Sequence, residues 1–264
     1  MRALDILAAA DVIAAEDKRT SSNLLTQHGI KANRLIAVHQ HNERESAGKI
    51  ISLLQSGLSV AYVSDAGTPA VSDPGAVLVQ EVMGSGYRVI PIPGASAAIS
   101  ALSASGMTHP HVLFYGFLPP KSAARRNALQ TLAGYPFTLV FYEAPHRIVE
   151  CAADLREIFG DDREIVVTRE LTKLFETIHR CKLGELQNWL NMDPNHQRGE
   201  FVLLVSGAAP VEGLPDSALN MLRELLEVLP LKQAVQVTSR ISGASRNELY
   251  RVALQIRVPS PEDS

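Results

Sequence analysis

The loop at residues 64–75 is the first place in this sequence where residue types and spacing could do chemistry. It follows an apolar segment at residues 59–63 and holds two aspartates, two glycines and two prolines within twelve residues. Such a loop is stiff and exposes backbone donors and acceptors, and the Asp65 carboxylate can accept hydrogen bonds from ligand hydroxyl or amine groups. Ligands of open α/β sheets bind beyond the carboxyl ends of the strands, so this loop is a candidate binding segment. An ordinary long connection is the alternative interpretation.

A second candidate segment spans residues 92–98, where a strand pattern gives way to a helix pattern. Gly94 removes side-chain bulk and Ser96 is a natural helix cap. The free amides of a first helical turn suit a carboxylate. Taken alone, the segment is equally typical of a tight turn between a strand and a helix.

Charged residues follow two later apolar segments. Glu143 and Arg147 come after residues 138–142, and Arg169, Glu170 and Lys173 come after residues 164–168. At the ends of strands these side chains could line a site. They could equally satisfy one another as a salt-bridged scaffold.

An aromatic and a basic cluster adjoin each other at residues 116–126. Phe117 and Lys121 are followed by Arg125 and Arg126, a combination that suits stacking on a splayed nucleotide and holding its phosphates. A helix starting near residue 122 would project the three cations around one end toward a common phosphate track. The alternative is an ordinary solvated helix face.

Composition limits the remaining function classes. The net charge of -3 argues against a surface that binds polyanions everywhere, so any RNA contact is expected to be local. Cys151 and Cys181 are too few for a disulfide framework and too far apart for a Cys-x-x-Cys site, so no metal site and a reduced compartment are expected. No apolar run reaches the roughly 20 residues that cross a bilayer. We therefore expect a cytoplasmic protein without membrane contact.

Segments of strand type alternate with helical patterns from start to end, which predicts an α/β fold with parallel or mixed sheets. The predicted strands cover residues 12–15, 34–38, 59–63, 88–92, 112–115, 138–142, 164–168 and 201–205. The predicted helices cover residues 1–10, 45–55, 76–83, 96–105, 123–132, 147–159 and 185–190.

The chain divides into three predicted regions. Glycine, threonine and proline interrupt the pattern at residues 106–110, so we expect an N-terminal α/β domain at 1–107 and a second α/β domain at 108–208. Residues 209–264 are expected to hold a linker and a small helical appendage. The chain opens on a helical pattern before its first strand, whereas doubly wound folds usually start with a strand.

The segments at 64–75, 91–97, 116–126, 141–148, 168–173 and 199–206 together resemble the motif series of the ribosomal RNA small-subunit methyltransferase I family. The similarity covers nearly the whole chain, including residues 232–254. It implies two α/β domains of the tetrapyrrole-methylase type, a class III methyltransferase. It further implies S-adenosylmethionine in the cleft between them, a homodimer, and 2′-O-methylation of a cytidine ribose in 16S RNA, either as naked RNA or in the assembled 30S subunit.

The resemblance also assigns roles by motif position. The implied cofactor-binding residues are Asp65, Ala66, Gly67, Thr68, Pro69, Pro93, Gly94, Ser96, Ala97, Phe141, Tyr142 and Thr168. The candidate proton acceptors for a ribose hydroxyl are Glu143 and Glu170. The candidate RNA-binding residues are Lys121, Arg125, Arg126, Arg147, Arg169 and Lys173.

The sequence departs from the family in one respect, and two alternative functions remain open. Relatives carry a leading segment with a first strand ending in a Thr-Pro-Ile-Gly-Asn type turn, and the expectation here is that this strand is missing. The closest alternative is a methyltransferase of the same fold acting on a tetrapyrrole or a protein side chain. The other is a non-catalytic RNA- or ribosome-binding relative.

Overall fold

The computed structural model describes residues 1–209 and 213–257. They fall into two compact units, Met1–Ala208 and Ala209–Ser264. The first unit holds a three-stranded and a five-stranded sheet, which lie on either side of residue 107 in the sequence. The division of this unit into two domains at that residue stays a prediction.

The first sheet is parallel, with strand order β2-β1-β3. Its strands are β1 (Val12–Ala15), β2 (Leu35–Ala37) and β3 (Val60–Val63). Its helices are α1 (Arg2–Ala9), α2 (Lys18–Gln27), α3 (Glu43–Gln55) and α4 (Ala76–Gly84). Ile13 of β1 packs toward α1 and α2, whereas Ala14 packs toward α3 and α4. Because β1 is central and covered on both faces, all four of its residues are apolar and buried.

The second sheet is mixed, with strand order β4-β5-β8-β6-β7. Its strands are β4 (Val112–Phe117), β5 (Thr138–Glu143), β6 (Glu164–Arg169), β7 (Thr177–Lys182) and β8 (Phe201–Val205). One face packs against α6 (Ser122–Leu132), α7 (Ile148–Phe159) and α8 (Leu183–Met192). The other face packs against α5 (Ala97–Ser105). Short 3₁₀ helices occur at Pro145–Arg147 and Pro194–Gln197.

A β-bulge interrupts β4. Phe114 is in register with Val140 of β5, but Phe117 is in register with Tyr142, so β4 contains one extra residue, Tyr115. In a regular strand two residues three positions apart point to opposite faces. The bulge instead places Phe114 and Phe117 on one face and leaves Tyr115 against Phe141 on the other, with ring centroids 5.8 Å apart.

The structure differs from the sequence-based expectation in two strands. Residues 88–92, predicted as a strand, have no regular structure. Pro91 and Pro93 remove two backbone donors that a sheet ladder would use, and Val89 and Ile90 are exposed. Conversely β7 was not predicted, because this edge strand alternates half-buried and exposed residues and carries His179, Arg180 and Lys182.

The second unit consists of helices over its described residues, as the sequence predicts. They are α9 (Asp216–Val228), α10 (Leu231–Ser242) and α11 (Arg246–Arg257). Their shared core is formed by Ala218, Leu222, Ala234, Val235, Leu249 and Ala253. Residues 210–212 and 258–264 of the expected linker and helical appendage lie outside the described residues. Among the helices that are described, none has the length and apolar character needed to cross a membrane.

Candidate functional site

The carboxyl ends of β1 and β3 are tied together by two reciprocal hydrogen bonds. The amide of Asp17 donates to the Asp65 carboxylate at 3.2 Å, and the amide of Asp65 donates to the Glu16 carboxylate at 3.2 Å. Neighbouring parallel strands bring these ends to one edge of the sheet. Asp65 therefore lies at this edge with its position fixed, and it remains exposed to solvent.

The loop at 64–75 is held by Ser64 within it and by Tyr62 and Glu43, two residues whose role no sequence pattern indicated. The Tyr62 hydroxyl donates to the carbonyl of Pro74 at 2.8 Å, and the Ser64 hydroxyl donates to the carbonyl of Ala66 at 2.9 Å. The Glu43 carboxylate accepts from the amides of Gly75 and Val77 at the start of α4. A carboxylate is favourable there because the first amides of a helix have no partner within the helix.

The second loop, residues 92–98, contacts both the first loop and the end of β5. The Thr68 hydroxyl donates to the carbonyl of Ala95 at 3.4 Å. The amide of Ala98 donates to the Tyr142 hydroxyl at 3.3 Å, and Ser96 caps α5 as predicted. A Cβ atom added at Gly94 would meet nothing within 4 Å, so this loop borders open space. The two predicted loops and Tyr142 thus come together at one place.

An aromatic group lies beside these loops. The rings of Phe114 and Phe117 flank that of Tyr142 at centroid distances of 5.1 and 5.5 Å, and 37% of Phe114 and 52% of Phe117 are exposed. We call these three residues the aromatic shelf. A Cβ atom added at Gly116 would lie 2.6 Å from the Ser72 hydroxyl oxygen, so the shelf adjoins the first loop.

The first loop has an acidic electrostatic environment. Burial, and next the negative charges of Glu16 and Asp65, raise the pKa of the Asp73 carboxyl. Burial together with neighbouring carboxylates, Glu16 first among them, also raises the pKa of the Tyr62 phenol. Tyr62 is therefore a hydrogen-bond donor at neutral pH, and Asp73 is a stronger base than an ordinary aspartate.

Glu143 does not have the geometry expected of a proton acceptor. Its side chain is 0% exposed and forms an ion pair with Arg147 at 2.9 Å. It also accepts from the amide of Ala144 at 2.8 Å, and Arg147 donates to the carbonyl of Leu118 at 2.7 Å. Glu143 and Arg147 therefore fix the turn after β5 and the chain after β4, so neither is free to contact RNA.

Glu170 is engaged in a network of its own. It accepts from the Lys173 ammonium at 2.9 Å and from the amide of Glu200 at 3.0 Å. The hydrogen bond from Lys173, and next the one from Glu200, lower the pKa of Glu170. A lowered pKa makes this carboxylate a weak base, which argues against the expected role as proton acceptor. Gly199 allows the Glu170 side chain to lie close to the backbone, because a Cβ atom at position 199 would overlap that side chain.

The three cations of the basic segment at residues 121–126 are not equivalent. Arg125 is fully buried and pairs with Asp154 at 2.6 Å, so the expectation that it faces phosphate is wrong. Arg126 pairs with Asp154 and with Glu157, both at 2.7 Å, and remains partly exposed. Lys121 is exposed and has no ion pair among the described residues.

Three further predicted site residues have buried side chains. Arg169 donates to the carbonyls of Arg198 and Phe175, both at 3.1 Å, and thereby holds the chain after β6 instead of contacting RNA. Phe141 lies in the core of the second sheet, and the Thr168 hydroxyl donates to the carbonyl of Val202 at 3.3 Å. Neither side chain lines the edge where the two loops meet.

Family models match both units. The model of the tetrapyrrole (corrin/porphyrin) methylases matches residues 1–187, and that of the RsmI C-terminal HTH domain matches residues 212–257. Two solved structures share the fold of the first unit. One is a cobalt precorrin-4 methyltransferase, which is 18% identical, with 78% of this chain and 87% of that chain covered and a TM-score of 0.55. The other is the methyltransferase CobJ, which is 20% identical, with 79% of this chain and 87% of that chain covered and a TM-score of 0.58.

Curated relatives match over almost the full length. The ribosomal RNA small subunit methyltransferase I of Pseudomonas aeruginosa is 49% identical, covering 96% of this chain and 91% of that protein. The protein of the same name from Vibrio cholerae is 46% identical, covering 96% and 88%. With the two-sheet fold and both family models, these identities show that the chain belongs to the tetrapyrrole methylase family and, within it, to the ribosomal RNA small subunit methyltransferase I group.

Proposed function

We propose that this protein transfers the methyl group of S-adenosylmethionine to the 2′-hydroxyl of a cytidine ribose in 16S ribosomal RNA. The observation that carries the proposal is identity of 46 to 49% over 96% of the chain to relatives named as small-subunit ribosomal RNA methyltransferases. The match extends through the C-terminal helical unit, which has a family model of its own. Likeness to the two corrin-pathway structures supports only the fold, so a tetrapyrrole substrate is not favoured.

The edge where the two loops meet fits this cofactor. The exposed start of α5, with its Ser96 cap and the open space at Gly94, suits a carboxylate. Asp65 is placed to accept from ribose hydroxyls or an amine. The negative charges of Glu16, Asp65 and Asp73 complement a sulfonium. The exposed residues Ala66, Gly67, Pro93 and Ala97 complete the proposed cofactor site, which Thr68 and Pro69 adjoin.

The bound cofactor supplies a methyl group already activated for transfer, so the chain mainly has to align the ribose oxygen and exclude water. An acceptor for the hydroxyl proton would contribute about 10² to 10⁴-fold. Glu143 is buried and Glu170 has a lowered pKa, so we assign this role to Asp73, whose pKa is raised. Asp73 also borders an open pocket of about 690 Å³ lined by residues 40–45 and 72–74 together with Val77.

Lys121 and Arg126 are the proposed phosphate contacts of the basic segment at residues 121–126. Lys121 is exposed without an ion pair among the described residues, and Arg126 keeps 43% of its side chain exposed. Lys173 is exposed to a similar degree and, like Arg126, pairs with two carboxylates, those of Glu170 and Glu200, so it stays a proposed contact as well. A net charge of -3 requires such contacts to be local.

We also propose that the protein acts in the cytoplasm as a homodimer. Leu174 and Phe175, in the turn after β6, are 90% and 65% exposed, and Ile178 of the adjacent edge strand is 45% exposed. Exposed apolar residues that cluster in this way are typical of an interface. Light scattering coupled to gel filtration should give twice the chain mass of 28.6 kDa, and Phe175→Lys should lower it.

Mass spectrometry of 16S RNA from cells with and without this protein tests the methylation directly. One cytidine 2′-O-methyl group should be absent without the protein and return when it is supplied. Asp73→Asn should fail to restore it, although the variant still binds the demethylated cofactor. Identical RNA from both strains would exclude the proposed substrate, and full activity of Asp73→Asn would exclude the proposed proton acceptor.

A further inference from the structure

We infer that the aromatic shelf stacks the base of the nucleotide that is methylated, with the exposed ring of Phe117 as the main contact. The inference rests on the proposed function and adds the residue that positions the RNA. Phe114 and Phe117 are both more than one-third exposed, although they lie on a face of the sheet that is otherwise covered by α5.

The shelf is a consequence of the bulge at Tyr115. If the same residues formed a regular strand, Phe117 would point to the opposite face, where α6, α7 and α8 pack. The bulge returns it to the face of Tyr142, whose hydroxyl accepts from the amide of Ala98 in the first turn of α5. The ring of Tyr142 therefore contacts the first turn of α5, and the ring of Phe117 lies against Tyr142, beside the loops of the proposed cofactor site.

The chemistry of the shelf fits an RNA base better than the adenine of the cofactor. Stacking on an aromatic side chain suits any base, and RNA is recognised largely through unstacked bases of this kind. Lys121, four residues after Phe117, supplies an exposed cation without an ion pair among the described residues. A nucleotide in RNA carries a phosphate for that cation, whereas S-adenosylmethionine carries none.

Kinetics with small subunits from cells lacking the protein test the shelf. Phe117→Ala should raise KM for the subunits about tenfold, which corresponds to one lost base stack, and should leave the affinity for the demethylated cofactor unchanged. Phe117→Tyr should restore KM. Tyr115→Ala is the matched control, because it removes an aromatic ring from the other face of the same strand. An unchanged KM in Phe117→Ala, with methyl transfer intact, would overturn the inference.

A binding measurement separates failure of the shelf from failure of the proposed function. In Phe117→Trp, a 16S RNA fragment containing the target cytidine should quench the fluorescence of the added tryptophan. The parent, whose sole tryptophan is Trp189, gives the fluorescence change that has to be exceeded. The demethylated cofactor alone should not. Quenching by the cofactor alone would assign the shelf to adenine, and no quenching by RNA would leave it without a base. If the parent transfers no methyl group but RNA still quenches, only the proposed reaction fails.

Discussion

The guanidinium of Arg125 lies 2.6 Å from the carboxylate of Asp154, and the side chains are 0% and 4% exposed. The pair joins α6 to α7 on one face of the second sheet. Asp154 also accepts from Arg126 at 2.7 Å and from the Ser122 hydroxyl at 3.0 Å. A residue expected to hold RNA is thus part of the scaffold that fixes the basic segment.

Replacing Asp154 with Asn should destabilise the first unit. The substitution keeps the shape but removes the buried counter-charge of Arg125 and leaves only Glu150, which is 75% exposed and 3.6 Å away. Breaking a buried ion pair on one side costs about 3 kcal/mol in comparable cases. Urea unfolding followed by Trp189 fluorescence reports on this unit, because Trp189 packs against its core. Glu45→Gln, which breaks the exposed Glu45–Lys49 pair, is the control and should cost less than about 0.5 kcal/mol. Equal losses would contradict the role of the buried pair.

The same carboxylate should contribute to acid sensitivity. Burial alone would raise the pKa of Asp154, but hydrogen bonds from Arg126, Arg125 and Ser122 outweigh it and hold the pKa below its usual value. The stabilisation is then fully present above the unfolded-state pKa of about 3.9 and is lost as pH falls through the lower folded-state value. The difference in unfolding free energy between parent and Asp154→Asn should therefore shrink below about pH 4. A difference that stays constant to pH 2 would disprove this.

Asp65→Ala should weaken binding of S-adenosylhomocysteine about tenfold in calorimetry. It removes an exposed acceptor and the tie to the amide of Asp17, and a hydrogen bond to a charged group contributes about 1.5 to 3 kcal/mol. Asp11→Ala is the matched control, since Asp11 ties the amino ends of the same two strands through the amide and hydroxyl of Ser59. Equal affinities of both variants would place the cofactor away from the first loop.

Lys121→Ala should reduce RNA affinity and flatten its dependence on salt. A lost phosphate contact lowers the slope of log affinity against log salt by about one unit. Lys49→Ala, at an exposed and paired lysine of α3, should leave the slope unchanged. Filter binding distinguishes the two variants when RNA affinity is measured between about 50 and 200 mM salt. The same slope in Lys121→Ala and the parent would remove this residue from the RNA contact.

The sequence specifies most strongly the strands that are buried on both faces, although the less buried β2, β3 and β4 were predicted as well. β1, β5 and β8 carry continuous apolar runs, so burial alone specifies them. β7 was not predicted because an edge strand needs only one apolar face. The segment at 88–92 was wrongly predicted as a strand because its apolar residues were given more weight than its proline.

At the candidate site, residue composition identified the loops at 64–75 and 92–98, but it did not show which charged side chains are buried and which face solvent. Arg125 lies four and seven residues before Leu129 and Leu132, so it belongs to the buried stripe of α6. That signal was present in the sequence. The partner that makes burial of a charge tolerable, Asp154, lies 29 residues away, and only the packing of α7 on α6 brings it close.

The bulge at Tyr115 makes the length of β4 as informative as its composition. If β4 kept all its residues but lost the bulge, the two faces would be exchanged for everything that follows in the strand, and Phe117 would enter the helical layer without any change of its own identity. Deleting Tyr115 would instead restore the regular alternation and keep Phe114 and Phe117 on one face. Substitutions at positions 112, 113 and 115 leave that frame intact. Across relatives, the spacing of the two rings should therefore follow the bulge: three positions apart where the extra residue is present and two where it is absent, because either spacing keeps both rings on the face of Tyr142.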